Sequence, residues 1–223
     1  MFSTSMKTYR ASRFVYLSIA ALLLPFVAAC SFVPKPQADP SRHYVLTGPT
    51  IAGYNEAFEQ GTLKVGLRTV SVAPYLDGKS MIVRRGENEI DYREFARWAE
   101  PLGVAVNRML VARLSVSEKV ARVYSQPYPF DVARDVDVAV TVLRAEGRVR
   151  EDGTATISFL CGIEIVRVDE RVGNARQVLA REVFEAPEIP WTQGDYAALA
   201  RGLSEGVAKL ADEIVAKLPT SAK

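Results

Sequence analysis

The stretch "DVDVAVTVLRAEGRVRE" (Asp135–Glu151) decides the fold. Val136, Val138, Val140 and Val142 recur at every second position. Successive side chains of a strand point to opposite faces, so the four valines share one face. Asp152-Gly153 follows, a dipeptide that tolerates positive φ and closes hairpins. "TISFLCGIEIV" (Thr156–Val166) then runs back, with Ile157, Phe159, Cys161, Ile163 and Ile165 alternating onto one face. After a polar loop, "RQVLAREVFEA" (176–186) reads as a third strand. The result is an antiparallel meander with one apolar face to cover.

The cover follows in "TQGDYAALARGLSEGVAKLADEIVAKLP" (192–219), where Tyr196, Leu199, Leu203, Val207, Leu210 and Ile214 lie at helical spacing. Thr192 with Asp195 resembles a capping box, and Pro219 stops the helix. Gly202 and Gly206 lie inside it, each costing about 1 kcal/mol against alanine. Close packing against the sheet is the expected reason.

Upstream, "WAEPLGVAVNRMLVARLSVS" (98–117) reads as the first helix, with the stripe Leu102, Val106, Met109, Leu110 and Leu114 and Pro101 in its first turn. "HYVLTG" (43–48) reads as a short strand, and 49–61 as a loop. In "TLKVGLRTVSVAP" (62–74) the apolar parity shifts between Leu67 and Val70, which predicts a bulge or bend. "MIVRR" (81–85) and "EIDYRE" (89–94) are strands around Gly86-Glu87-Asn88, and "VARVYS" (120–125) is another. The expected class is α+β: one domain, a mixed or antiparallel sheet ending in the meander, packed by two main helices.

The chain begins with a different physics. Phe14 to Ala29 is a mostly apolar run of 16 residues, interrupted by Ser18 and Pro25. A spanning helix needs about 20. Lys7, Arg10 and Arg13 precede the run, and Val27-Ala28-Ala29-Cys30 ends it. This is the pattern of a secretory signal (1–29), and it resembles the bacterial lipoprotein box, which implies lipidation of Cys30. Ser31 rather than Asp follows, which in a proteobacterial setting implies the outer membrane. Residues 30–42 hold three prolines and read as a tether reaching roughly 35–40 Å at most. A domain over 43–218 and a short tail, 219–223, complete the expected organisation.

Charge bounds the partners. The chain has 28 basic and 26 acidic side chains; the first 29 residues carry three basic and no acidic ones, leaving 25 against 26. The basic excess therefore belongs to the signal, and no nucleic-acid partner is expected. With Cys30 acylated, Cys161 has no partner for an intramolecular disulfide and reads as a small buried apolar side chain.

The residue census opposes catalysis. "GLSEG" (202–206) matches G-x-S-x-G, but that elbow needs a strand, a strained turn and a helix, and Ser204 sits mid-helix. The one histidine, His43, lies near the tether and reads as structural. Asp135 and Asp137 share a strand face and could be imagined as cation ligands, but a polar strand entrance is the favoured reading. Neither a phosphate-binding loop nor a dinucleotide fingerprint is present, so no cofactor, no metal and no enzymatic activity are expected.

Two loops stand apart. "PYLDG" (74–78) and "QPYPF" (126–130) offer Pro74, Tyr75, Leu76, Tyr128 and Phe130 in turn-rich segments. Exposed aromatics beside proline suit partner binding. Equally, they could fold back as lids over the sheet edges.

Read together, "RHYVL" (42–46), P-Y-L-D (74–77) and W-A-E-P-L (98–102) resemble the ABC-type transport auxiliary lipoprotein family, the PqiC-like component of MCE lipid-transport systems. The resemblance covers roughly 42–215. It implies an outer-membrane-anchored periplasmic lipoprotein that docks with, or receives lipid from, the far end of an MCE-domain tunnel protein. It implies no catalytic residues. A tunnel end with rotational symmetry suits a ring-like homo-oligomer. Two alternatives stay open: a periplasmic lipid-binding carrier, and a structural envelope lipoprotein independent of any transporter.

Overall fold

The computed structural model describes residues 37–48, 61–130, 132–169 and 175–220. The signal run and Cys30 lie outside these. The chain divides into two units, Met1–Pro40 and Ser41–Lys223. In the first, residues 37–40 are exposed and without regular structure. The second holds every buried apolar side chain described, from Leu46 to Leu218, and so carries its own core.

Among the described residues the second unit is built from ten strands and two α-helices, with one turn of 3-10 helix at Pro74–Leu76. They run β1 (Arg42–Tyr44), β2 (Leu63–Leu67), β3 (Ser71–Val72), β4 (Ser80–Arg85), β5 (Glu89–Trp98), α1 (Leu102–Ser115), β6 (Val120–Ser125), β7 (Val136–Val149), β8 (Ala155–Asp169), β9 (Ala175–Glu185), β10 (Ile189–Pro190) and α2 (Tyr196–Lys217). The class is α+β with a mixed sheet, as expected.

The hairpin β7–β8 is the axis of the sheet. Gly153, at φ +82°, makes its turn, and Asp152 Oδ1 accepts the Thr154 N–H at 2.8 Å. On one edge of β7 three short parallel strands dock one after another: β2 at Val136–Val138, β3 at Thr141–Val142 and β4 at Gly147–Val149. β6 adds to β2, while β5 and then β1 add to β4. The other edge of β7 takes β8, which carries β9 and β10.

One residue of β7 has no register partner. Val142 pairs with Cys161 and Arg144 with Leu160, so Leu143 is skipped. Before the bulge the even positions Val136 to Val142 are buried; after it the core positions are Ala145, Gly147 and Val149. β8 keeps one parity throughout, with Ile157, Phe159, Cys161, Ile163 and Ile165 all buried. The bulge therefore keeps a single face of the hairpin apolar over its full length.

That face meets α2. A Cβ on Gly202 would stand 2.3 Å from Ile157 Cδ1, and one on Gly206 would stand 3.0 Å from Phe159. Both helix glycines thus serve close approach to β8, as expected. The stripe Leu199, Leu203, Val207, Leu210 and Ile214 is buried, and so is that of α1, Leu102, Val106, Met109, Leu110 and Leu114.

Several boundaries differ from expectation. β5 extends through Trp98, which was expected to begin the first helix; Tyr44 of β1 pairs with Trp98, and this non-local ladder outweighs the helical pattern. Pro101 consequently sits at the N-cap of α1. Residues 62–74 hold two strands, β2 and β3, broken where the parity shift lies. The first strand ends at Tyr44, although Leu46 beyond it is buried. α2 is capped by Asp195 itself, whose Oδ1 accepts the Ala198 N–H at 2.8 Å, rather than by Thr192.

Candidate interaction face on the outer side of the sheet

With the helices covering one face of the hairpin, the opposite face is left for function. The register stacks its side chains in rows across β7, β8 and β9: Asp137, Val166 and Val178; then Ala139, Glu164 and Arg181; then Thr141, Gly162 and Val183. Small residues at Ala139, Thr141 and Gly162 leave a shallow groove of about 430 Å³, walled by Val183 and Arg181. A Cβ at Gly162 would meet nothing within 4 Å. The groove shares Ala139 and Glu164 with a smaller cleft of about 130 Å³ that Arg68, Asp137, Val166, Arg176 and Val178 also line.

The charges here are partly spoken for. Arg134 Nε donates to Asp137 Oδ1 at 2.8 Å and its guanidinium lies 4.0 Å from the Tyr128 ring centre. Gly66 makes room for this pair: a Cβ there would stand 2.4 Å from Asp137 Oδ1. Arg181 pairs with Glu164, and this hydrogen bond holds the Glu164 carboxyl below its usual range. Burial, followed by the charge of Asp137, pushes the Tyr128 phenol up.

The residues picked from the sequence fall at two stations on this face. Tyr75 lies on the bulge: its hydroxyl donates to the Leu143 carbonyl at 2.9 Å and lies 3.1 Å from Glu146 Oε2. Glu146 is fully buried and takes the Arg84 guanidinium, which also lies over the Tyr75 ring. Burial, then Glu146, pushes the Tyr75 phenol up to about 12. Leu76 is buried at 3 % exposure. Of the two readings of this loop, the folded-back one therefore describes Tyr75 and Leu76, and Leu76 is core rather than contact surface; Pro74 is exposed. The second station is Tyr128, half-buried beside Arg134, with Phe130 beyond it at 93 % exposure. Leu143 lies six positions along β7 from Asp137, about 20 Å of strand, so the two loops form two patches rather than one.

The remaining candidates are structural. Ser204 Oγ donates to the Ala200 carbonyl at 2.7 Å and accepts the Thr47 N–H at 3.0 Å, tying the N-terminal segment to α2. Asp135 accepts the Lys64 N–H at 2.7 Å, Asp137 is held by Arg134, and no group of three metal-ligating side chains occurs among the described residues. His43 is exposed on β1. Cys161 is fully buried, and burial pushes its thiol up. Cys30 lies outside the described residues. No helix among them is long and apolar enough to cross a membrane.

Sequence reading missed Arg68, Arg176 and the small-residue groove. The available signal was the off-face parity of the hairpin, where Ala139, Thr141 and Gly162 alternate with the core set.

The model of the ABC-type transport auxiliary lipoprotein component matches residues 44–215. A crystal structure of a Xanthomonas campestris protein of the family model DUF330 is similar at 20 % identity and a TM-score of 0.63, over 78 % of this chain and 93 % of that one. A second solved structure, of an uncharacterized protein, aligns at 22 % identity and a TM-score of 0.57, over 80 % and 99 % of the two chains. At these identities the likeness concerns the fold. No curated protein matches the sequence.

Proposed function

The chain belongs to the ABC-type transport auxiliary lipoprotein family, and on that premise we propose that it is a docking component of an MCE-type system passing phospholipid between the inner and outer membranes of a Gram-negative cell. The observation that carries the reading is the extent of the match, residues 44–215, which takes in nearly the whole compact unit. The auxiliary role thus attaches to this domain as a unit. In this reading Cys30 carries an N-acyl diacylglyceryl anchor at the periplasmic face of the outer membrane, and residues 31–42 are its tether. Several acyl chains on one cysteine hold firmly where one would not.

The proposed partner is the MCE-domain tunnel protein, met by a ring-like homo-oligomer of this chain. Phe130 and Pro74 are the exposed members of the two loops and the proposed contacts. The protein has no turnover of its own in this reading: Ser204, the one nucleophile in an enzymatic motif, has its hydroxyl committed to Ala200 and Thr47.

The test is photocrosslinking from probes at positions 130 and 74 in intact envelopes. The expected product is an adduct with an MCE-domain protein. Adducts with no transport component from either position would overturn the docking reading. Mass spectrometry of the mature N-terminus reads the anchor, and a chain still beginning at Met1 would remove it.

A further inference from the structure

We propose that the cleft between Arg68 and Arg176, continued by the groove over Ala139, Thr141 and Gly162, binds a single-chain amphiphile with a phosphate-type headgroup. The charge count of the cleft is the first argument. Its two carboxylates, Asp137 and Glu164, are already matched by Arg134 and Arg181. Arg68 and Arg176 line the same cleft and form no ion pair among the described residues. Among the described residues the cleft thus carries four guanidiniums against two carboxylates, and the planar forks of Arg68 and Arg176 suit the oxygens of a phosphate.

A further donor lies nearby, outside the residues that line the cleft. The Tyr128 hydroxyl is buried and has no hydrogen-bond partner among the described residues. It lies within electrostatic reach of Arg68 and Arg176. Its burial keeps the phenol protonated, so it can only gain by meeting an acceptor. A buried donor left unmade is costly, and a turn of the Tyr128 side chain toward a bound headgroup would satisfy it.

The floor supplies the apolar half. Val166 and Val178 line the cleft, and Val178 is half exposed. Through the shared Ala139 the cleft opens onto the larger groove, where Thr141 and Gly162 leave space and Val183 stands exposed. Its volume lies within the range of about 300–1,000 Å³ usual for small-ligand sites. An anion-selective end joined to an apolar lane selects a molecule with both properties.

The inference stands apart from the docking reading, because it is measured without any partner protein. The Ser41–Lys223 unit, which carries its own core, is titrated with monomeric 1-lauroyl lysophosphatidic acid, with monolaurin and with inorganic phosphate. The expected result is saturable one-to-one binding of the lysophosphatidic acid, at least about tenfold tighter than either fragment. The double variant Arg68→Gln/Arg176→Gln should lose about tenfold for both phosphate-bearing ligands. Gly162→Leu fills open space, and Val183→Gln acts on an exposed wall should that leucine disturb folding. Either should weaken the amphiphile and leave phosphate unchanged. Equal binding of monolaurin, phosphate bound as tightly as the amphiphile, indifference to the arginine pair, or no saturation by about 1 mM would each overturn the proposal. So would binding confined to anionic vesicles, which would indicate a membrane surface instead.

Discussion

The indole of Trp191 rests on Gly147: a Cβ at position 147 would stand 2.6 Å from Cζ3 of the ring. The ring is fixed from its far side as well, because Trp191 Nε1 donates to the Asp195 carbonyl at 2.7 Å, at the cap of α2. A rigid side chain with its one donor engaged has nowhere to retreat. Gly147→Ala should therefore destabilise the protein by about 1–3 kcal/mol, despite alanine's lower backbone entropy. Urea unfolding would show a lower midpoint at unchanged slope. Replacing Trp191 by leucine in the Gly147→Ala background should cost less than the two single changes added together.

Glu146 has its side chain fully buried on the outer side of the sheet and is matched by Arg84 and Tyr75. Removing it strands a guanidinium whose side chain is only 18 % exposed. Glu146→Ala should cost about 3 kcal/mol, at the low end for a broken buried pair because Arg84 keeps some water. Calorimetry reads the loss. A cost below about 0.5 kcal/mol would mean that the pair is solvated.

The Tyr75 phenol, pushed up to about 12, gives a pH dependence of known sign. Above pH 10 the unfolded chain releases this proton while the folded one keeps it. Stability must then fall as the pH rises from about 10 towards 12, and this contribution is complete below pH 10. Tyr75→Phe should flatten the alkaline limb of a stability-against-pH curve. Absorbance titration at the phenolate band should lose its latest-titrating tyrosine in the same variant.

Ser204→Ala tests a structural role against a nucleophilic one. It removes the acceptor of the Thr47 N–H and should cost about 1 kcal/mol. Thermal melting should record it, with no change in envelope function beyond the lower stability.

Much of the architecture could be read directly. The valines of β7 and the odd positions of β8 carry a period of two that no helix would produce, and the α2 stripe is equally plain. What escaped was decided by contacts distant in sequence. Phe95 to Trp98 carry no local strand signal strong enough to outweigh the helical stripe after them; the ladder from β1 holds them extended. For Tyr75 the sequence leaves contact surface and folded-back lid equally open, and only the bulge at Leu143, with a carbonyl for its hydroxyl, decides for the second. Arg68 and Arg176 come from β2's end and β9's start, and only the sheet register brings them to one cleft. Two arginines so far apart in the chain give no local pattern to read.

The unpaired Leu143 also sets how the gene can change length. Deleting one codon there would turn the bulge into plain alternation: Arg144 would follow Val142 outward and Ala145 inward, so Glu146 and Val149 would keep their sides. A second deletion at the facing point of the return strand, at Leu160, would instead turn Phe159 and Ile157 out to water. An added residue opposite Leu143, between Leu160 and Cys161, would pair with it and close the bulge, driving the Glu146 carboxylate into the oily layer and turning Val149 out to water. Drift in this family should accordingly lose the residue at Leu143 more readily than gain or lose one across from it.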